Sequence, residues 1–271
     1  MKKVTTRTLR RMRERGEPIT MVTAYDATFA RLLDEAGVDS LLVGDSLGNV
    51  IQGRDTTLPV TLEHIIYHCA CVARGTTRAH IVADMPFLSY GASLDDAIVN
   101  AGRLLKEGSA HAVKLEGGEE QAPLVRRLTQ IGIPVMGHLG FTPQSVQVFG
   151  GHFVQGREDG AADQMIADAK ALEAAGAYGI VLEMVPKTVA QRVTQAISIP
   201  TIGIGAGNVT SGQVLVCYDL LGLNEGFHPT FLKKFAELGG TVRGAAAAYV
   251  KEVREGTYPG DEHSFNVERR S

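Results

Sequence analysis

Short apolar runs recur along this chain, and between most of them the apolar positions fall at the spacing of an amphipathic helix. Eight runs read as strands, near 19–24, 40–45, 80–85, 112–116, 133–138, 179–184, 200–204 and 214–220. Helical patterns near 26–36, 60–74, 94–107, 119–131, 163–175 and 188–197 separate most of them. The strand runs are rich in Val, Ile and Leu without polar alternation, which marks strands covered on both faces, as in a parallel sheet. Strand-then-helix alternation builds such a sheet, and eight units close it into a (β/α)8 TIM barrel. A basic helix at 5–16 precedes the first strand, and a long helix at 230–254 follows the last. A doubly wound sheet would want a glycine-rich phosphate loop after strand one, where this chain has Ala24-Tyr-Asp-Ala27. The expectation is therefore an α/β barrel occupying residues 1–271 as one domain.

Glycines punctuate the pattern. Gly37, Gly108 and Gly176 each close a helical run shortly before a strand, where a left-handed residue ends the helix. Ser93-Leu-Asp-Asp96 reads as a capping box at a helix start. Long glycine-rich loops at 46–59 and 139–160 fall on the face where a barrel builds its site, and suit substrate-covering lids.

Four of the runs end in a carboxylate: Leu41-Leu-Val-Gly-Asp45, Ile81-Val-Ala-Asp84, Val113-Lys-Leu-Glu116 and Ile180-Val-Leu-Glu183. In a barrel all strand C-termini share one face, so these acids would converge. Mg²⁺ takes oxygen ligands and keeps water, so one or two carboxylates plus substrate oxygens suffice. Asp45 and Asp84 fit that role, with Glu116 reaching the ion through water, whereas Zn²⁺ would want more His or Cys than the strand ends offer. Glu183, not spent on the ion, could act as a general base. Lys114 shares a strand face with Glu116 and could bind a substrate carboxylate or steady an enolate. Plainer readings stand beside these: a lone strand-end acid can be a helix cap, Lys114 and Glu116 a structural ion pair, and His138 a hydrogen-bonded core residue. His64 and His68 are four apart on a helix and could chelate, but barrel helices lie outside. Ile202-Gly-Ile-Gly-Ala-Gly-Asn208 could cradle a phosphate, approach another ligand or simply turn.

Composition narrows the partners. A net charge of −3 over 271 residues gives no reason to expect a nucleic-acid partner. No apolar stretch approaches the roughly 18 residues of a membrane span, and the N-terminus lacks a secretory core, so a cytoplasmic enzyme is expected. The three cysteines form no framework; Cys69 and Cys71 face different sides of one helix, and Cys217 lies in a strand-like run.

With these residues in view, nearly the whole chain resembles the ketopantoate hydroxymethyltransferase family. The resemblance is carried by Met21-Val-Thr-Ala-Tyr-Asp26, Val43-Gly-Asp-Ser-Leu-Gly48, Ala83-Asp-Met-Pro-Phe87, Val113-Lys-Leu-Glu-Gly117, Gly137-His-Leu-Gly-Phe-Thr-Pro143, Leu182-Glu-Met-Val-Pro186 and Gly203-Ile-Gly-Ala-Gly207. The tail Tyr258-Pro-Gly-Asp-Glu-His-Ser-Phe265 is similar too. The resemblance implies a barrel of the phosphoenolpyruvate/pyruvate type and a homo-oligomeric ring, usually a decamer. It implies Mg²⁺, or Mn²⁺ or Co²⁺, on Asp45 and Asp84 with Glu116 nearby, substrate contacts at Ser46, Asp84, Lys114 and His138, and Glu183 as base. The implied reaction takes a hydroxymethyl group from 5,10-methylenetetrahydrofolate to 3-methyl-2-oxobutanoate through a metal-stabilised enolate. A Mg²⁺-dependent 2-oxo acid lyase or mutase and a silent scaffold are the competing expectations.

Overall fold

Eight strands pair in chain order into a closed, all-parallel barrel: β1 Ile19–Thr23, β2 Ser40–Val43, β3 His80–Asp84, β4 Ala112–Glu116, β5 Val135–Gly140, β6 Gly179–Glu183, β7 Thr201–Ile204 and β8 Gly212–Leu215. The computed structural model describes residues 2–158, 160–226 and 228–265. The chain divides into two compact units, Met1–Cys217, which holds the barrel, and Tyr218–Ser271. β1 pairs with β2 through Met21 opposite Ser40, and closes the barrel on β8 through Ile19 opposite Gly212.

The barrel's apolar filling decides where its chemistry can sit. Met21, Leu42, Val82, Met136, Val181 and Ile202, from six different strands, meet in one buried cluster. Val4 and Leu9 join it from the segment before β1. Leu9 belongs to the expected basic helix, Thr6–Arg15, which Thr5 caps and Gly16 ends at φ 67°. That helix turns Leu9 inward and leaves Arg7, Arg10 and Arg11 exposed. With the interior filled by carbon, polar side chains gather where the strands end.

One polar cluster lies at the start of β3. His80 is 2% exposed, and its Nε2 stands 3.2 Å from the Tyr178 hydroxyl. Burial, reinforced by the neighbouring His111, pulls the His80 pKa down to about 3. An unfolded histidine titrates near ~6.5. The unfolded chain therefore takes up the proton first, and the stability that neutral His80 contributes is complete above that value. It is lost as pH falls toward the folded value, amounting to about 3 kcal/mol between pH 7 and 4.5. Denaturant midpoints measured across that range should drop more steeply in the wild type than in His80→Gln.

The sequence expectations need four adjustments. The eighth strand was placed at 214–220, but β8 ends at Leu215 and Cys217–Leu220 is a short helix, so Cys217 opens a helix instead of lying in a strand. The final helix is Leu238–Glu255, not 230–254. The N–H groups of Phe235, Leu238 and Gly239 donate to the carbonyls of Leu220, Leu221 and Gly222, so the preceding backbone is committed elsewhere. Gly37 and Gly176 do take positive φ, but at the third helix end Ser109 does so (φ 60°) rather than Gly108. A Cβ on Gly108 would stand 2.7 Å from the Leu104 carbonyl oxygen and 3.2 Å from Cys69 Cβ, so close packing explains that glycine. Finally, Ser93 caps the Asp96 N–H, but the Asp96 carboxylate accepts from the Ser93 hydroxyl instead of its backbone, giving half of the expected box.

Candidate active site

The four strand-end acids occupy the C-terminal ends of β2, β3, β4 and β6, on one face of the barrel. Asp45 follows β2 in a tight turn in which its N–H donates to Asp84 Oδ2 at 3.0 Å. Gly44 makes the turn possible, since a Cβ there would lie 2.8 Å from Ser46 Oγ and 3.4 Å from Asp84 Oδ2. Lys114 Nζ sits 3.0 Å from Asp84 Oδ1 and 3.1 Å from His138 Nδ1. His138 lies between two acids, with Nδ1 3.3 Å from Glu116 Oε1 and Nε2 3.2 Å from Glu183 Oε2. Asp45, Asp84, Lys114, Glu116 and His138 are all buried, whereas the Glu183 side chain keeps 19% of its surface. Ser46 Oγ pairs with the Tyr25 hydroxyl at 2.8 Å. All seven residues expected from the sequence therefore lie at this end of the barrel.

Burial sets the charges. It raises the Asp45 carboxyl to about 8, with Asp84 and Glu116 adding repulsion against Lys114 and Gln144. It raises Asp84 too, despite Lys114. Burial also opposes ionisation of Glu116, but His138, Lys114 and the Gln144 N–H outweigh it and hold that carboxyl low. Lys114 is kept cationic because Asp84, Glu116 and Asp45 overcome its desolvation. For His138, burial and Lys114 push downward, yet Glu116 and Glu183 bring the net shift upward. The plain Lys114–Glu116 ion pair is not what forms: the ion-pair partner of Lys114 is Asp84, and Glu116 faces His138.

Asp84 Oδ1 and Glu116 Oε1 are buried oxygens whose only close polar neighbours among the described residues are the ion-pair contacts from Lys114 and His138. With Asp45 alongside, the donor set consists of carboxylate oxygens, which suits a hard divalent cation. A cation there would also relieve the repulsion that suppresses ionisation of Asp45. Among the described residues no group of three His, Cys, Asp or Glu side chains forms a complete metal site by itself. The arrangement fits an ion held by two carboxylates and completed by water or substrate, and not an all-protein cage.

The backbone around Glu183 is tightly specified. Met184, the next residue, has φ 47°, costly for a residue with a side chain. Its N–H donates to the Ile204 carbonyl at 2.8 Å, and its carbonyl accepts from Gln155 N–H at 2.9 Å. Gly140 has φ 93°, and a Cβ there would collide with the Glu183 carbonyl. The 139–160 loop is thus joined to the residue beside the candidate base, and within it Phe141 packs on His152 with ring centroids 5.0 Å apart.

Other candidates resolve more plainly. His64 Nδ1 accepts from Thr61 N–H, while His68 Nδ1 bonds the Tyr25 carbonyl, so they do not act as a chelating pair. In the glycine run, Gly205 and Gly207 take φ of 63° and 76°, and the Gly207 carbonyl accepts from Gln213, so the run does turn tightly. Cys69 and Cys71 lie in the helix Leu62–Gly75, and none of the three cysteines is in a disulfide, with Cys69 and Cys217 buried. Sequence reasoning missed Tyr25, Tyr90 and Gln144. Gln144 follows the quoted Gly137–Pro143 motif directly, and Pro143 at the first position of a helical turn was its one local cue.

The closed parallel barrel with its acid-lined mouth has the phosphoenolpyruvate mutase/isocitrate lyase type of fold. Phosphoenolpyruvate phosphomutase from Streptomyces platensis subsp. rosaceus superposes with a TM-score of 0.62 at 14% identity, covering 97% of this chain and 92% of that one. 2,3-Dimethylmalate lyase, a member of that superfamily, superposes at 0.60 and 18% identity over 98% of this chain and 93% of its own. Within this fold type the chain belongs to the ketopantoate hydroxymethyltransferase family, whose pattern matches residues 3–261. The 3-methyl-2-oxobutanoate hydroxymethyltransferase of Syntrophus aciditrophicus (strain SB) is 55% identical over 264 residues, 97% of either chain. The expectation of a catalyst, against that of a silent scaffold, holds.

Proposed function

We propose that this chain transfers a hydroxymethyl group from 5,10-methylenetetrahydrofolate to 3-methyl-2-oxobutanoate, giving 2-dehydropantoate and tetrahydrofolate. The observation that carries the reading is the division of labour at the mouth, where three acids are buried around Lys114 and His138 and a fourth, Glu183, keeps an open flank. Asp45 and Asp84 would hold Mg²⁺ (or Mn²⁺ or Co²⁺), with Glu116 beside it. Such an ion supplies Lewis acidity toward the carboxylate and keto oxygen of a 2-oxo acid.

The chain's own groups do the rest. Ser46, Asp84, Lys114 and His138 line the substrate position, and the fixed positive charge of Lys114 favours the anionic substrate and the enolate derived from it. Glu183 takes the proton from C3; one water hydrolyses the folate-borne methylene to formaldehyde and tetrahydrofolate, and the C3 carbanion adds to that formaldehyde, whose oxygen, drawn from the water, takes up a proton and becomes the new hydroxyl. His138, between Glu183 and Glu116, orients both carboxylates. The loop carrying Phe141 and Gln155 excludes bulk water that would quench the enolate, leaving only the one water the transfer consumes.

Support for a homo-oligomeric assembly, which we take to be a decamer, comes from the helix Leu238–Glu255, where Val242, Tyr249, Val250 and Val253 are exposed. A second copy of the chain would cover them. No described helix is long and apolar enough to cross a membrane. We place the enzyme in the cytoplasm, beside its small-molecule substrates.

Purified protein supplied with both substrates and Mg²⁺ should yield 2-dehydropantoate, identified by mass spectrometry, and a chelator should abolish the yield. Cleavage or rearrangement of the 2-oxo acid without folate would instead indicate a lyase or mutase.

A further inference from the structure

The buried amide of Gln144 touches three parts of the acid cluster at once. Its backbone N–H donates to Glu116 Oε2 at 3.0 Å. Its Nε2 donates to Asp45 Oδ2 at 2.8 Å and to the Met85 carbonyl at 3.0 Å. Its Oε1 accepts from the Tyr90 hydroxyl at 2.7 Å, and that hydroxyl in turn accepts from the Glu116 N–H at 3.2 Å. The contacts admit one amide orientation. With a cation keeping Asp45 ionised, the turned-over amide would set Oε1 against a carboxylate and a carbonyl, three acceptors with no proton among them. The phenol has a single proton, and giving it to Oε1 is what holds the amide with Nε2 toward Asp45.

We propose that Tyr90 and Gln144 are a positioning pair that occupies one oxygen of Asp45, so that Asp45 meets a cation through the other oxygen alone, and that this sets the preference of the site for Mg²⁺ over Ca²⁺. The inference rests on the reading of Asp45 and Asp84 as cation ligands. Mg²⁺ demands near-octahedral geometry with single-oxygen carboxylate contacts, whereas Ca²⁺ is larger and accepts both oxygens of one carboxylate. With Oδ2 turned to the Gln144 amide, Asp45 offers a cation Oδ1 first and Oδ2 only at the expense of that hydrogen bond. Neither Tyr90 nor Gln144 need touch substrate; they act through Asp45 and Glu116.

Calorimetric titration of the full chain with MgCl2 and CaCl2, without substrates, tests this. In Gln144→Met, which keeps the volume and loses the donor, Mg²⁺ affinity should fall by about tenfold, the value of a hydrogen bond to a charged group. Ca²⁺ affinity should fall less, moving the Mg²⁺/Ca²⁺ ratio by about threefold or more toward Ca²⁺. Tyr90→Phe, the milder change, should move it the same way, and the double variant should go no further than Gln144→Met because Tyr90 works through the amide. Under saturating cation, kcat should fall less than the affinity for Mg²⁺ does. Equal losses for the two ions, or unchanged affinities with only a lower melting temperature, would overturn the proposal. Asp84→Asn, run alongside, separates the layers: if it keeps wild-type Mg²⁺ affinity, the cation-site reading fails, whereas loss there with no change in Tyr90→Phe or Gln144→Met sinks only the positioning role.

Discussion

Glu183→Gln should turn over about 10²- to 10⁴-fold more slowly than the wild type, the usual worth of a positioned general base. The substitution preserves the side chain's size and a polar contact to His138, whose Nε2 lies 3.2 Å from Glu183 Oε2. It removes the one acid of the four with an exposed flank, and with it the acceptor for a substrate proton. Asp45, Asp84, Lys114 and Glu116 stay in place, so binding of Mg²⁺ and the 2-oxo acid should stay close to wild type. Steady-state kcat with calorimetric binding of each ligand checks both halves. A fall in kcat/KM that came wholly from KM would assign Glu183 to substrate binding and not to proton removal.

The second large effect belongs to Asp84→Asn. Asp84 Oδ2 is already engaged by the Asp45 N–H, so Oδ1 is the oxygen that Lys114 and a cation would share. An amide supplies at most one oxygen, carries no charge, and leaves Lys114 without its buried ion-pair partner. Removing one member of a buried pair costs about 3–5 kcal/mol; Asp45 and Glu116 still act on Lys114 and should place the loss at the lower end. Activity should fall to background at millimolar Mg²⁺, and the melting temperature should drop. Removing the second charge as well, in Asp84→Asn/Lys114→Met, should recover part of the stability and none of the activity. Thermal unfolding and transferase assays on both variants make that comparison.

The acids were legible in the sequence because each closes an apolar run, and a parallel barrel sends every such end to one face. Asp45, Asp84, Glu116 and Glu183 could be read that way; Lys114 followed from its two-residue spacing to Glu116. Tyr90 and Gln144 were not legible. Tyr90 lies in a loop and Gln144 in a single helical turn, Pro143–Ser145, both too short for periodicity to say which way a side chain points, and a neutral amide or phenol lacks the charge that made the acids conspicuous. The misplaced element ends have similar causes. The run at 214–220 is apolar except for Asp219, so hydrophobicity alone did not separate β8 from the short helix Cys217–Leu220. The start of the last helix depended on backbone hydrogen bonds from Phe235 and Leu238 to Leu220 and Leu221, pairings that no local pattern encodes.

The central claim is that Glu183 removes a proton from C3 of a 2-oxo acid held at this mouth. Incubating the protein with 3-methyl-2-oxobutanoate and Mg²⁺ in D2O, with folate left out, isolates that step. Proton NMR should show deuterium entering C3 with wild-type protein, and entry slowed to near the uncatalysed rate with Glu183→Gln. Exchange at an undiminished rate in the variant would contradict the account.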